Sequence, residues 1–175
     1  ELVTLVTEMV GDVCFALENF EKDAQRREVL EQLRASEEAS RLSSSAVAAS
    51  ANGIMITTAG LGGVRLTYVN PAFERITGYR AEEVIGQEGR FLVRDDLAQP
   101  DLENIRTALR DKHEGQATLR NYRKDGSLFW NELHIAPVRD LTGGATTHFV
   151  SVINDISERI RYQHALEYQA NHDSL

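Results

Sequence analysis

Apolar residues recur at three-four spacing through the first part of this chain and at a spacing of two from about Asn52 onward. This change of period fixes where a helix must give way to a sheet. From Glu1 to about Leu42 there is no proline and Gly11 is the only glycine. Leu2, Leu5, Val6, Met9, Val13, Ala16, Leu17, Phe20 and Ala24 fall on one face of the helix so defined. After Phe20 the segment is largely charged, with Leu30 and Leu33 as its main apolar pair. So narrow a stripe needs a partner, either a second copy in a parallel coil or the chain's own domain folded back on it. The serines and alanines of Ser43 to Ala51 suit a hinge or a final weak helical turn, and the boundary falls there, with residues 1–45 as an N-terminal helix.

Beyond the boundary, Gly53 to Thr57 and Leu66 to Val69 read as strands joined by a turn at Leu61-Gly62-Gly63. Pro71 opens a short helix that stops at Gly78, a second short helix follows at Ala81 to Ile85, and a third lies between Pro100 and Lys112. Period two then returns. Ala117, Leu119 and Asn121 share one face of a strand, Asp125-Gly126 marks a hairpin turn, Phe129, Asn131, Leu133 and Ile135 share a face of the next strand, and Phe149, Ser151 and Ile153 share a face of the last. The expected fold is α+β, a five-stranded antiparallel sheet with short helices on one face. Asp155 and Glu158 have capping-box spacing, so a last helix is expected from near Ile156 towards Ala170.

Composition narrows the function. The net charge of -8 and a pI near 5.1 argue against a nucleic acid partner or contact with an anionic membrane. No apolar run reaches the roughly 20 residues of a spanning helix, and a cytoplasmic location is expected. Cys14 is the only cysteine, and no Cys/His grouping has metal-ligand spacing, so no metal is expected. Glu82-Glu83 and Asp95-Asp96 are neighbours that point apart, and no serine sits in a nucleophile elbow; no catalytic residue is assigned and the fragment is not read as an enzyme.

Tyr68-Val69-Asn70-Pro71-Ala72-Phe73, Ile76-Thr77-Gly78-Tyr79 and Glu83-Val84-Ile85-Gly86 are similar in order and spacing to the start of a PAS domain. With Asn121 to Gly126 and Asp155 to Arg159, the resemblance covers nearly all of residues 52–160 and implies the PAS fold over residues 46–157. Phe129-Trp130-Asn131-Glu132-Leu133 and Gly86 to Leu92 resemble the LOV branch, which binds flavin and responds to blue light through attack of a cysteine sulfur on the photoexcited ring. In this chain the cysteine position is Gly89, the asparagine beside it is Glu88, and two glutamines are replaced by Val93 and Ile153. Arg90 and Arg106 match the residues that hold the flavin phosphate, Asn121 and Asn131 match the amides at the ring edge, and Leu133 and Phe149 complete the implied lining. The asparagines have an alternative in pairing with each other, with Glu88 or with water, and the arginines in pairing with Asp95, Asp96 or Glu103. Two cofactor states follow: none, which the four altered pocket positions favour, or FMN without the cysteine photochemistry that the missing thiol removes. His113 invites comparison with haem-binding PAS domains, but its place at a helix end already accounts for it.

By alternation Trp130, His134, Tyr122, Val150 and Val152 project from the opposite face of the sheet, more apolar than a solvated face should be. With Asp155 and Glu158 they form the expected relay into the last helix. Residues 1–27 resemble the closing helix of a GAF domain, and Tyr168 to Leu175 resemble the entry to a GGDEF domain, which makes cyclic di-GMP. The resemblances imply a piece of a bacterial signalling protein: a sensory and dimerisation module, homodimeric through its N-terminal helix and outer sheet face, linked by residues 158–175 to a GGDEF-type diguanylate cyclase output. The alternative is a sensor that binds flavin or another small ligand.

Overall fold

A computed structural model describes residues 2–60, 63–140 and 142–172. The chain divides into two compact units between Ala46 and Val47. In the first, helix α1 spans Leu2–Ala49 without interruption, so the serine-alanine run is its last turns rather than a break. Phe20, Val29, Leu30, Leu33 and Leu42 are exposed on it. The apolar stripe before Phe20 and the turn at Leu61-Gly62 lie outside the described side chains and residues.

The second unit is an antiparallel sheet of β1 (Gly53–Thr58), β2 (Leu66–Val69), β3 (Gly115–Tyr122), β4 (Leu128–Arg139) and β5 (Thr146–Asp155), in the order β2-β1-β5-β4-β3. Between β2 and β3 the chain forms α2 (Pro71–Thr77), α3 (Ala81–Val84), a 3-10 turn at Gly89–Leu92 and α4 (Leu102–Asp111). These pack on one face, α2 against β1, α3 against β2 and α4 against β3. Burial follows the strand period: Ala117, Leu119 and Asn121, then Phe129, Asn131, Leu133 and Ile135, then Phe149, Ser151 and Ile153 are all buried. The α4–β3 contact requires a glycine, since a Cβ on Gly115 would stand 2.6 Å from Ala108 Cβ.

β3 is an edge strand, and side chains from the segment before α4 cover its open side. Gln99 Oε1 accepts from Arg120 N (2.7 Å), Gln99 Nε2 donates to the Arg120 carbonyl (3.0 Å), and Asp101 Oδ2 accepts from Thr118 N (3.2 Å). The edge is thereby closed to pairing with another strand.

The last helix, α5, spans Ser157–His172. Its start departs from the expected capping box. Asp155 Oδ1 accepts from Ser157 N (3.0 Å), while Glu158 is exposed and takes no part among the described bonds. Because β4 pairs with β5 as far as Asp155, the carboxylate is held by the sheet and reaches the helix from one residue outside it.

Asn70, fully buried, joins three elements. Its Oδ1 accepts from Phe73 N (2.9 Å) as the cap of α2 and from Ile54 N of β1 (2.8 Å), and its Nδ2 donates to the carbonyls of Val47 (2.9 Å) and Asn52 (3.1 Å). Substitution Asn70→Ala removes a helix cap and strands the buried Phe73 N–H with three part-buried backbone groups, and is expected to cost about 3 kcal/mol. Urea unfolding checks this, the midpoint falling while the slope stays constant.

Candidate functional site

The inner face of the sheet, α4 and the 3-10 turn enclose a cavity of about 430 Å³. Its walls are mainly apolar: Met55 from β1, Leu92 and Val93 after the turn, Leu102, Ile105 and Leu109 from α4, and Leu119, Leu133 and Ile135 from β3 and β4. Thr57 and Ser151 bring hydroxyls from β1 and β5, and Asn121 and Asn131 bring amides from β3 and β4.

The two asparagines form a directed relay. Asn121 Nδ2 donates to the Arg120 carbonyl (3.1 Å), which leaves its Oδ1 to accept from Asn131 Nδ2 (2.8 Å). Asn131 Oδ1 is then buried on the cavity wall with no hydrogen-bond partner among the described residues. An unmet buried acceptor costs about 1–3 kcal/mol, so the site is built at an energetic loss that an occupant with a donor would recover.

Glu88, Gly89, Val93, Leu133, Arg90 and Arg106 reach the cavity as their sequence positions implied. The arginines stand at its solvent side and are already partnered: Arg90, 84% exposed, bonds Glu88 at 2.9 Å, and Arg106 meets Glu103 at 3.4 Å. Phe149 and Ile153 lie on the inner side of β5 and are buried, but outside the cavity wall. Ile153 stands between Gly53 and Leu133 in the strand register and fills the core under α2 instead. Ser151, two residues before it, lines the cavity, and strand alternation alone places it there. Ile105 and Leu109 of α4, one turn apart, are likewise legible from helical spacing.

On the other face of the sheet Trp130, Val150 and Val152 are half-buried and His134 is exposed. Trp130 meets the start of α5 through its backbone: Ile156 N donates to its carbonyl (2.9 Å) and its own N–H donates to Ser157 Oγ (2.8 Å). Beside this clamp Arg123 Nη2 bonds Asp155 Oδ2 (2.7 Å), its guanidinium lies 4.7 Å from the Phe129 ring, and it also donates to the Ile76 carbonyl at the end of α2. Burial pushes the Asp155 carboxyl up, but hydrogen bonds from Ser157 and Arg123 outweigh it and hold the group below the usual carboxylate range. Glu132 of β4 bonds Arg159 of α5 (3.0 Å) and Asn154 (3.0 Å), and these bonds lower its pKa too.

Among the described residues no helix is long and apolar enough to cross a membrane, and no group of three or more His, Cys, Asp or Glu is placed to hold a metal ion.

Residues 51–158 match the family model described as a PAS domain. The chain is 41% identical over 102 residues to a bacterioopsin transcriptional activator of Halobacterium salinarum, covering 58% of this chain and 15% of that protein. It is 37% identical over 115 residues to a blue-light photoreceptor of Listeria innocua, covering 66% and 45% respectively. It therefore spans less than half the length of either relative. Among solved structures it is similar to the LOV domain of a blue-light-activated histidine kinase from Erythrobacter litoralis, with a TM-score of 0.56 and 34% identity over 61% of this chain and 96% of that one. An RNA-binding light-oxygen-voltage receptor matches with a TM-score of 0.64 and 33% identity, over 75% of this chain and 38% of that one.

The asparagine pair of the cavity does not by itself match a flavin ring edge. The ring edge of a flavin presents an acceptor, a donor and another acceptor. The asparagine relay uses both groups of Asn121 and the donor of Asn131 internally, leaving one acceptor for the ring and no amide donor for its two carbonyls. Val93 and Ile153 supply none, and Gly89 supplies no thiol.

The segment before α4 is pinned by Asp96, which accepts from Arg120 Nε (2.7 Å) and Nη2 (2.8 Å) and from the Tyr122 hydroxyl (3.0 Å). The Arg120 bonds, then that of Tyr122, hold its carboxyl below the ordinary value of 3.8. A depressed folded value means that this support is complete above pH 3.8 and is lost as pH falls below it through the native value. The Arg120 amide is therefore expected to exchange slowly with solvent down to about that pH and faster below it, as measured by NMR-detected hydrogen exchange.

Proposed function

The chain belongs to the PAS domain family, and from that premise we propose that residues 46–157 form a sensory and dimerisation module that relays the state of its cavity through β4 and β5 into residues 158–175. One observation carries the reading: Asn131 lines the cavity, and the residue next to it, Trp130, clamps the first turn of α5 through both of its backbone groups. A shift of β4 by a fraction of an ångström at the cavity therefore acts directly on the helix start. Arg123–Asp155 and Glu132–Arg159 are the charged contacts that such a shift would load or release. Trp130, His134, Val150 and Val152 form the outer-face path, with Asp155 as its end; Glu158, exposed, belongs to the helix rather than the clamp.

We further propose a homodimer through the N-terminal helix of residues 1–45 and the outer sheet face. Support comes from the exposed Leu30 and Leu33 of α1, a pair that a twin helix would cover, and from the half-buried apolar side chains of the sheet face. For the output, the resemblance of Tyr168 to Leu175 to a GGDEF entry supports a diguanylate cyclase making cyclic di-GMP; residues 173–175 of that stretch lie outside the described ones. The kinase and transcriptional outputs named for the relatives are the competing choice, and the α5 clamp serves either. A reading with FMN in the cavity draws support from Arg90 and Arg106 at its solvent side and from the photoreceptor relatives, against the donor count of the asparagine relay.

Analytical ultracentrifugation tests the module. A dimer is expected, and the double variant Leu30→Arg with Leu33→Arg should weaken it by at least about tenfold while leaving the far-ultraviolet circular dichroism in place. A wild-type monomer that persists to the highest soluble concentration contradicts the dimer reading.

A further inference from the structure

The relay described above leaves its trigger unnamed, and the cavity's own chemistry narrows it. The sense of the asparagine chain is fixed by a backbone carbonyl: Arg120 O can only accept, so Asn121 donates to it, Asn131 donates to Asn121, and Asn131, a residue of the cavity wall, keeps its Oδ1 as a buried acceptor without a partner among the described residues. The cavity wall that Asn131 shares is mainly apolar, with Leu119, Leu133, Ile105 and Leu102, and its other uncharged polar groups are Asn121 and the hydroxyls of Thr57 and Ser151. The charges at the solvent side are already matched, Arg90 by Glu88 and Arg106 by Glu103, so the site has no unpartnered cation to select an anionic ligand. A volume of about 430 Å³ lies at the small end of ligand pockets and accommodates a one- or two-ring molecule.

We propose that this cavity binds a compact, uncharged aromatic molecule with a single N–H or O–H donor, of the indole or phenol class, seated with its donor on Asn131 Oδ1. The hydrogen bond satisfies a buried side-chain acceptor that has no partner among the described residues, and the ring replaces solvent against the mainly apolar wall. Binding is thereby registered at Asn131, next to the Trp130 clamp.

The test is calorimetric titration of the full 175-residue chain with indole, with benzothiophene and with FMN. Benzothiophene has nearly the shape of indole and lacks the donor. Indole is expected to bind saturably at one site per chain, with benzothiophene about tenfold weaker and FMN weaker than both. Asn131→Leu is expected to bring the two bicyclic probes within about twofold of each other. Should that variant not fold, the wild-type NMR signal of the Asn131 side-chain amide serves instead: it is expected to move with indole and to respond little to benzothiophene. Equal affinity for the two probes, no binding of either, or FMN binding more tightly than indole each overturns the proposal.

Discussion

Strand β4 lies between β3, which it pairs from Leu128 to Ile135, and β5, which it pairs from Asn131 to Arg139, and its residues alternate between the two sides of the sheet. Asn131 therefore faces the cavity while Trp130 faces away, and the peptide bond between them joins the two sides of the domain. Asn131 pairs with Leu119 of β3 and Asp155 of β5, whereas Trp130 pairs with Arg120 of β3 and on its other side bonds Ile156 and Ser157. Next to Asn131, the Trp130 N–H and carbonyl are the groups that bond the start of α5, and the proposed relay runs through them. The rest of the unit serves this arrangement: α4 and the 3-10 turn roof the cavity, and Gln99 and Asp101 close the edge of β3.

The polar groups divide into two kinds. Asn70, Gln99 and Asp155 are satisfied several times over and hold elements together. Asn131 is the exception among the described residues, its acceptor unmet on a mainly apolar wall. Stable folds rarely tolerate such a group without an occupant or a water, which makes it the part of the molecule most open to outside influence. The fold is shared with the photoreceptors that this chain is similar to, while function is decided by the groups that line the site.

Much of this was legible in the sequence. The switch of period near Asn52 located the end of the helix and the start of the sheet, and the alternation of Ala117 to Asn121 and Phe129 to Ile135 gave the buried face directly. The asparagine pairing was among the alternatives that the residues themselves raised. Ile153 was not placed correctly, since alternation reports which face a residue takes but not whether a cavity or packed core lies above it. The helix cap was also misjudged: Asp155 acts through Ser157 because the β5 ladder holds it, a tertiary effect that spacing to Glu158 could not carry. Ion pairing of Arg90 with Glu88 and of Arg106 with Glu103 was foreseen in kind and only partly in partner.

The coupling between cavity and helix is tested most directly by hydrogen exchange at the Ile156 amide, whose bond to the Trp130 carbonyl is the clamp itself. Measured with the cavity saturated by a donor-bearing aromatic probe and again without it, protection at Ile156 is predicted to change while that at Asn70, remote from the clamp, stays constant. Identical protection at Ile156 in the two states would contradict the account, leaving β4 a passive wall of the cavity.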